Sequence, residues 1–209
     1  MILDPAQVAP AARTWQELTG LVRGCTACPE LVASRTTVVA GALPDGVPAA
    51  DVLLIGEAPG AQEDEAGVPF VGRSGQLLDS LLHEIGLPRQ RVAVTNVLKC
   101  RPPGNRKPRR VEVGRCRPWL ARQIELADPR VLVALGGTAT EWFFGAGARI
   151  AALRVTVHHW QGRSLVVTYH PSAAIRFGPR GAPVAALRED LRTVARLVPP
   201  AAGGPAGDE

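Results

Sequence analysis

The stretch DVLLIGEAPGAQEDEAGVPFVGRSGQLLD, residues 51–79, decides how the rest of the chain is read. It opens on a continuous apolar, β-branched run, Val52 to Ile55, as in a strand covered on both faces. Pro59 and Gly60 break the chain after that run, and four acids lie within the nine residues 57–65: Glu57, Glu63, Asp64 and Glu65. Phe70 comes next, and then the small-residue turn GRSGQ (72–76) opens a helical pattern.

Three further runs repeat the strand signature: RVAVTN (91–96), RVLVAL (130–135) and SLVVTY (164–169). Helical patterns alternate with them. SGQLLDSLLHEIG (74–86) places Leu77, Leu78, Leu81, Leu82 and Ile85 on one face, with Gly86 as a stop. RRVEVGRCRPWLARQIELADP predicts a helix over about 109–127, GTATEWFFGAG (137–147) a shorter one, and PVAALREDLRTVARLV (183–198) a final amphipathic one. Alternating strands and helices predict an α/β fold with a parallel sheet between two helical layers. Such sheets place their sites at the carboxyl ends of the strands. Three of those ends carry polar groups fit for chemistry: Gly56-Glu57, Thr95-Asn96 and Tyr169-His170.

The chain has 209 residues, a length suited to one domain, and 46% hydrophobic residues, which excludes a disordered class. We expect one domain over residues 1–198 and a disordered tail over 199–209, PPAAGGPAGDE from Pro199 onward. No apolar run is long enough for a membrane span, and the start lacks the pattern of a secretory leader, so a cytoplasmic protein is expected. The formal net charge of +5 fits an anionic partner such as nucleic acid, although overall charge is a weak signal beside its distribution.

The distribution is more telling. KCRPPGNRKPRRVEVGRCR, residues 99–117, holds eight basic side chains against one acid, Glu112. Such a density of like charge predicts a phosphate-tracking surface rather than a merely solvated face. The same segment carries two of the four cysteines. Cys25 and Cys28 form a C-x2-C pair, with Cys100 after 71 intervening residues and Cys116 after 15 more. A close C-x2-C pair suits a shared metal better than a disulfide. Four thiolates suit zinc or a cubane iron–sulfur cluster, and the lack of a second short knuckle favours iron–sulfur.

Taken together, GEAPGAQEDEAGVPFVGRSGQLLD, TNVLKCRPPGNRKP, HPSAAIR and the cysteine set resemble the family-4 uracil-DNA glycosylases, over about Leu21 to Leu197. The resemblance implies a three-layer α/β/α sandwich around a four-stranded parallel sheet. It implies removal of uracil from DNA and a 4Fe–4S cluster on Cys25, Cys28, Cys100 and Cys116, with zinc as the alternative. Partners would be uracil-containing DNA, single- or double-stranded, with no membrane and a monomeric enzyme.

The resemblance also assigns the site. Phe70 would stack the extruded base, Asn96 would read the uracil edge, and His170 would stabilise the departing base. Glu57 would favour the cationic sugar, and Glu63 would crowd out a thymine methyl; Ala58 and Gly60 would complete the pocket. Ala58 stands where family-1 enzymes place a water-activating Asp, so no water activator is evident. Asp64 and Glu65 read as solvated. Arg73, Ser74, Arg101, Arg106, Ser172 and Arg176 would grip DNA, with Ser74 equally suited to cap a helix. The loop HPSAAIRFGPRG (170–181), which also carries Arg180, would enter the minor groove with Ala173, Ala174 and Ile175 as a wedge. Three rivals remain: a covalently trapping branch that needs a His near the basic loop, a broader family-5 type, and a non-catalytic iron–sulfur accessory protein.

Overall fold

The computed structural model describes residues 4–44, 50–178 and 181–199. Residues 200–209 of the expected tail, and Arg180, lie outside the described residues.

The amino-terminal part is helical: α1 (Pro5–Val8), α2 (Trp15–Arg23) and α3 (Pro29–Ser34). Then come β1 (Val52–Gly56), α4 (Ala61–Ala66), α5 (Arg73–Glu84), β2 (Val92–Asn96), α6 (Arg110–Ala127), β3 (Val131–Leu135), α7 (Gly137–Phe144) and α8 (Ile150–Leu153). The chain continues through β4 (His158–Trp160), β5 (Arg163–Thr168), α9 (Pro171–Phe177) and α10 (Ala182–Leu197).

The four predicted strands pair in parallel, but among the described residues the sheet has five strands in the order β2-β1-β3-β5-β4. The added β4 is antiparallel to β5 at the edge. It corrects the four-stranded expectation. Its three residues, His158, His159 and Trp160, are only partly covered, so they carry no apolar run to announce a strand.

Period-two alternation divides the core between two layers. Val52, Leu54, Val94, Val133 and Val166 face Leu78, Leu81 and Leu82 of α5 and Leu187, Leu191 and Val194 of α10. Leu53, Ile55, Ala93, Leu132, Ala134 and Val167 face Leu120 and Ile124 of α6 and Ala139 and Trp142 of α7. Burial on both sides explains why β1, β2 and β3 are apolar at nearly every position. A third cluster, including Leu18, Val22, Leu31, Leu98 and Trp119, fastens the amino-terminal helices beside α6. None of the described helices is long and apolar enough to cross a membrane.

Pro118 lies inside α6 without ending it. The segment after His170 is helical rather than a loop: α9 starts with Pro171 at its first position, where a missing N–H costs nothing.

Candidate active site

β1 is flanked by β2 on one side and β3 on the other, so successive crossovers diverge at the carboxyl ends of these strands. A crevice is expected there, and a cleft of about 510 Å³ occupies it. Glu57 follows β1, Asn96 ends β2, Gly136 follows β3 and His170 follows β5; all four line the cleft with Phe70.

Small residues let these groups close in. A Cβ on Gly56 would lie 2.8 Å from Phe70 Cζ and closer still to Asn96 Oδ1. Only glycine therefore leaves the ring and the amide their places. Phe70 adopts a left-handed backbone, φ 57°, unfavourable for an aromatic residue. Its carbonyl sits where a Cβ on Gly75 would be, so the first turn of α5 packs directly on the Phe70 backbone. Asn96 is 3% exposed, and its side-chain amide has no protein partner among the described residues. The Phe70 and His170 ring centroids are 5.9 Å apart.

His170 has a defined proton. The Ser172 N–H donates to Nδ1 at 3.1 Å, and the Ser172 hydroxyl lies 2.8 Å from the same nitrogen. Nδ1 is therefore the acceptor, and the neutral ring carries its proton on Nε2. Loss of solvation pushes the pKa of the imidazole down to about 4, against an opposing pull from the Glu63 carboxylate.

The acids divide by role. Glu57 accepts a hydrogen bond from the Thr138 hydroxyl, on the first turn of α7. Thr138 was not visible as a site residue, because nothing in GTATEWFF marks one threonine as facing a strand end 81 positions away. Glu63 lines the cleft and braces it: Oε1 accepts from the Gly72 N–H at 2.8 Å and Oε2 from the Gly60 N–H at 3.1 Å. Asp64 overturns its expectation. It is 1% exposed and accepts from the backbone N–H groups of Thr36 at 2.8 Å and Thr37 at 3.2 Å. Glu65 is exposed, as expected.

Ala58, Gly60, Arg73, Ser74, Arg106, Ser172 and Arg176 also line the cleft. Ser74 does not cap α5, since the N-cap is Gly72. Arg101 is not part of the lining and donates from Nε to Asn105 Oδ1 at 2.8 Å. Arg106 is held in a fork on Glu112, at 2.9 and 2.6 Å, and reaches Glu30 at 3.3 Å. Of the expected wedge on α9, only Ala174 is corrected; Ala173 and Ile175 are partly exposed. Ala174 is 0% exposed and faces the interior, whereas Phe177 is 65% exposed.

The four cysteines line one small hollow together with Arg35, Lys99, Arg115 and Trp119. Cys28 caps α3 and Cys116 lies within α6, so the hollow joins the amino-terminal helices to the end of β2 and to α6. Arg35 donates to Cys100 Sγ at 2.8 Å and to the Cys25 carbonyl at 2.8 Å. Burial pushes the Cys116 thiol up to about 12 and raises Cys28 and Cys100 as well. Lys99 is pushed down to about 8 by burial, with Cys116 and Cys100 pulling upward. Among the described residues no three His, Cys, Asp or Glu side chains meet as a site for a single ion. The donor set is four sulfurs edged by cations, which suits an anionic, thiolate-held group.

A second hollow, about 600 Å³, lies at the opposite end of the sheet, but its charges pair with one another: Arg91 with Asp51 at 2.7 Å and Arg163 with Asp128 at 2.6 Å. It offers no set of free groups comparable to Phe70, Asn96 and His170.

Known proteins give the same indication as this geometry. Residues 43–192 match the model of the uracil DNA glycosylase superfamily. The chain is 44% identical to a type-4 uracil-DNA glycosylase of Thermotoga maritima, covering 74% of this chain and 80% of the relative. It is 43% identical to a type-4 enzyme of Pyrobaculum aerophilum, covering 77% and 84%. A type-5 uracil-DNA glycosylase from the same Pyrobaculum is 30% identical, covering 81% and 88%. With its whole sheet inside the matched region and the greater identity on the type-4 side, the chain belongs to the uracil DNA glycosylase superfamily and groups with its type-4 members.

Proposed function

We propose that the protein is a uracil-DNA glycosylase that hydrolyses the bond between uracil and deoxyribose in DNA, acting as a single-domain monomer. The observation that carries this reading is that Phe70, Asn96 and His170, from three separate parts of the chain, line one cleft at the carboxyl ends of the strands.

A base within a duplex is out of reach, so the nucleotide is rotated into the cleft. Phe70 stacks it. The unpartnered Asn96 amide donates to uracil O4 and accepts from N3–H. Cytosine presents the reverse pattern and would leave the buried amide unpaired, a costly mismatch. As the glycosidic bond breaks, the bonding pair leaves with the base, which becomes an anion, and the sugar takes on oxocarbenium character; a water molecule then adds to the sugar carbon, and the proton it releases neutralises the base. The proton on His170 Nε2 is donated in a hydrogen bond to uracil O2, and one preorganised donor of this kind contributes about 3 kcal/mol. Glu57, oriented by Thr138, favours the cationic sugar. Glu63 holds the Gly60 and Gly72 segments against the base. Ser172, Arg73 and Arg176 grip the backbone, and the partly exposed Ile175 and exposed Phe177 are the larger apolar side chains of α9 that could fill the space left by the base.

The four cysteines hold a 4Fe–4S cluster. When bound, the cluster supplies a rigid cross-link among α3, α6 and the end of β2. The C-x2-C pair without a second short knuckle favours a cubane over a single zinc ion. The segment from 102 to 110, PPGNRKPRR, contains no histidine, which disfavours a covalently trapping activity.

The test is incubation with a labelled uracil-containing oligonucleotide followed by alkali. Strand scission at uracil supports the reading. A denaturant-resistant complex would assign the covalent branch, and intact DNA an accessory protein. Asn96→Ala should abolish excision while leaving affinity for uracil-free duplex; equal loss of both would remove Asn96 from the base-reading role.

A further inference from the structure

Lys99 lies between the two sites and belongs to neither by sequence. It is 1% exposed. Its Nζ donates three hydrogen bonds: to Thr95 Oγ1 at 2.7 Å, to the Asn96 carbonyl at 2.6 Å and to Gln123 Oε1. Thr95 spends its own proton on Gln123 Oε1 at 3.0 Å, so its oxygen is free to accept from the lysine. Gln123 in turn donates to the Ala40 carbonyl. Three acceptors around one nitrogen require three N–H donors, which is the ammonium form.

All three acceptors are neutral. A buried ammonium without a counterion is costly. The anion-forming groups at hand are the cysteines, since Lys99 lines their hollow with Cys100 and Cys116. Arg35 and Arg115 edge the same hollow, but both retain contact with solvent.

We infer that Lys99 is a positioning residue that couples the cysteine site to the base-reading amide. Its ammonium is the buried countercharge of the cluster, and its bond to the Asn96 carbonyl fixes the strand end from which the amide projects. The inference rests on the cluster reading above. It implies that the cluster acts on uracil recognition through one lysine, and that charge at the cluster is felt at the end of β2.

The test compares the cluster-loaded wild type with Lys99→Met, which keeps the length and removes the charge, and with Gln123→Met, which keeps the charge and loosens the frame. Reduction potential, cluster bleaching under a chelator, single-turnover excision and affinity for uracil-free duplex are measured for each. Lys99→Met should shift the potential to more negative values, because loss of a nearby cation disfavours the more reduced cluster. It should also bleach faster and lose excision by about tenfold, the scale of one lost hydrogen bond to a charged group, with duplex affinity unchanged. Gln123→Met should lower excision while leaving the potential at the wild-type value. An unchanged potential and bleaching rate in Lys99→Met overturns the countercharge. If that variant does not fold, unchanged excision in Gln123→Met overturns the coupling. A wild type with a cluster but no excision refutes the glycosylase reading alone, and the potential shift still decides the countercharge. A wild type lacking iron and sulfide overturns the cluster and this inference together.

Discussion

Gly56→Ala perturbs the candidate pocket with one methyl group and no change of charge. The added carbon would lie 2.8 Å from Phe70 Cζ, whereas ordinary contact begins at 3.4 Å, so the ring must retreat by about 0.6 Å. Asn96 Oδ1 is nearer and must move further, by about 1 Å, a displacement of the size that costs on the order of 100-fold in rate when it misplaces a reacting group. Phe70 cannot swing away freely, because its backbone is pinned against Gly75. Overpacking of this kind destabilises by about 1–3 kcal/mol, so the variant should still fold. Single-turnover excision of uracil should drop about 100-fold, with affinity for uracil-free duplex near wild type. Gly20→Ala is the control: Gly20 lies within α2 with nothing within 4 Å of an added Cβ, and the change should add up to about 1 kcal/mol of stability without affecting excision. A Gly56→Ala enzyme within about threefold of wild type would refute the assignment of Phe70 and Asn96 to the base, since a loss so far below the expected 100-fold is incompatible with their displacement.

Folding lowers the pKa of His170 from 6.5 to about 4, so the unfolded chain takes up this proton first as pH falls. Its contribution to stability is therefore present above 6.5, is lost progressively down to about 4 and levels off below that, which urea titrations across this range should record. Excision should show no His170 inflection near 6.5; one that vanishes in His170→Gln would show that the ring titrates at its ordinary value in the working enzyme and overturn the lowered pKa. Thr138→Val removes the donor to Glu57 and should lower excision about tenfold at a stability cost of at most about 1.5 kcal/mol; unchanged excision would leave Glu57 without an orienting partner. Cys100→Ser should bleach the brown absorbance and lower solubility, and a colourless wild type with one bound zinc would refute the cluster.

The parts of this fold that were legible in the sequence are those where one physical demand acts on consecutive residues. β1, β2, β3 and β5 are covered by helices on both sides, so their sequences are nearly uninterrupted apolar runs. α5 and α10 each bury one stripe, and the stripe appears as period 3.6. β4 satisfies no such demand. Other elements did carry local signals. Thr14 accepts from the Glu17 N–H while Glu17 accepts from the Arg13 N–H, so TWQE contains the start of α2 in four letters. α9 has Pro171 at its start and Gly178 just past its end, the usual asymmetry of a short helix. Its Ala-rich middle says little about which side faces inward, and Ala174, expected in the wedge, faces the interior.

The basic segment shows how internal pairing, which a sequence does not display, divides a run of like charge. Eight like charges over residues 99–117 imply strong repulsion unless an anion is near, and a phosphate backbone is the obvious candidate. Much of that anion is already within the chain. Arg106 and Arg109 converge on Glu30, 76 and 79 positions earlier in sequence, and Arg106 also forks on Glu112. Arg117 lies over the Trp142 ring at 4.3 Å, Arg115 donates to the Ala27 carbonyl at 3.1 Å, and Lys99 is enclosed beside the cysteines. Arg101, Lys107 and Arg110 are left with weaker or no acidic partners among the described residues, and Arg73 and Arg176 join them from outside the segment. The cations that line the cleft are thus Arg73, Arg176 and the paired Arg106, while Arg106 and Arg109 also tie α6 to α3 through Glu30. A cation's function depends on which carboxylate the fold brings beside it, and Glu30 reaches these arginines only because α3 and α6 pack around the four-cysteine hollow.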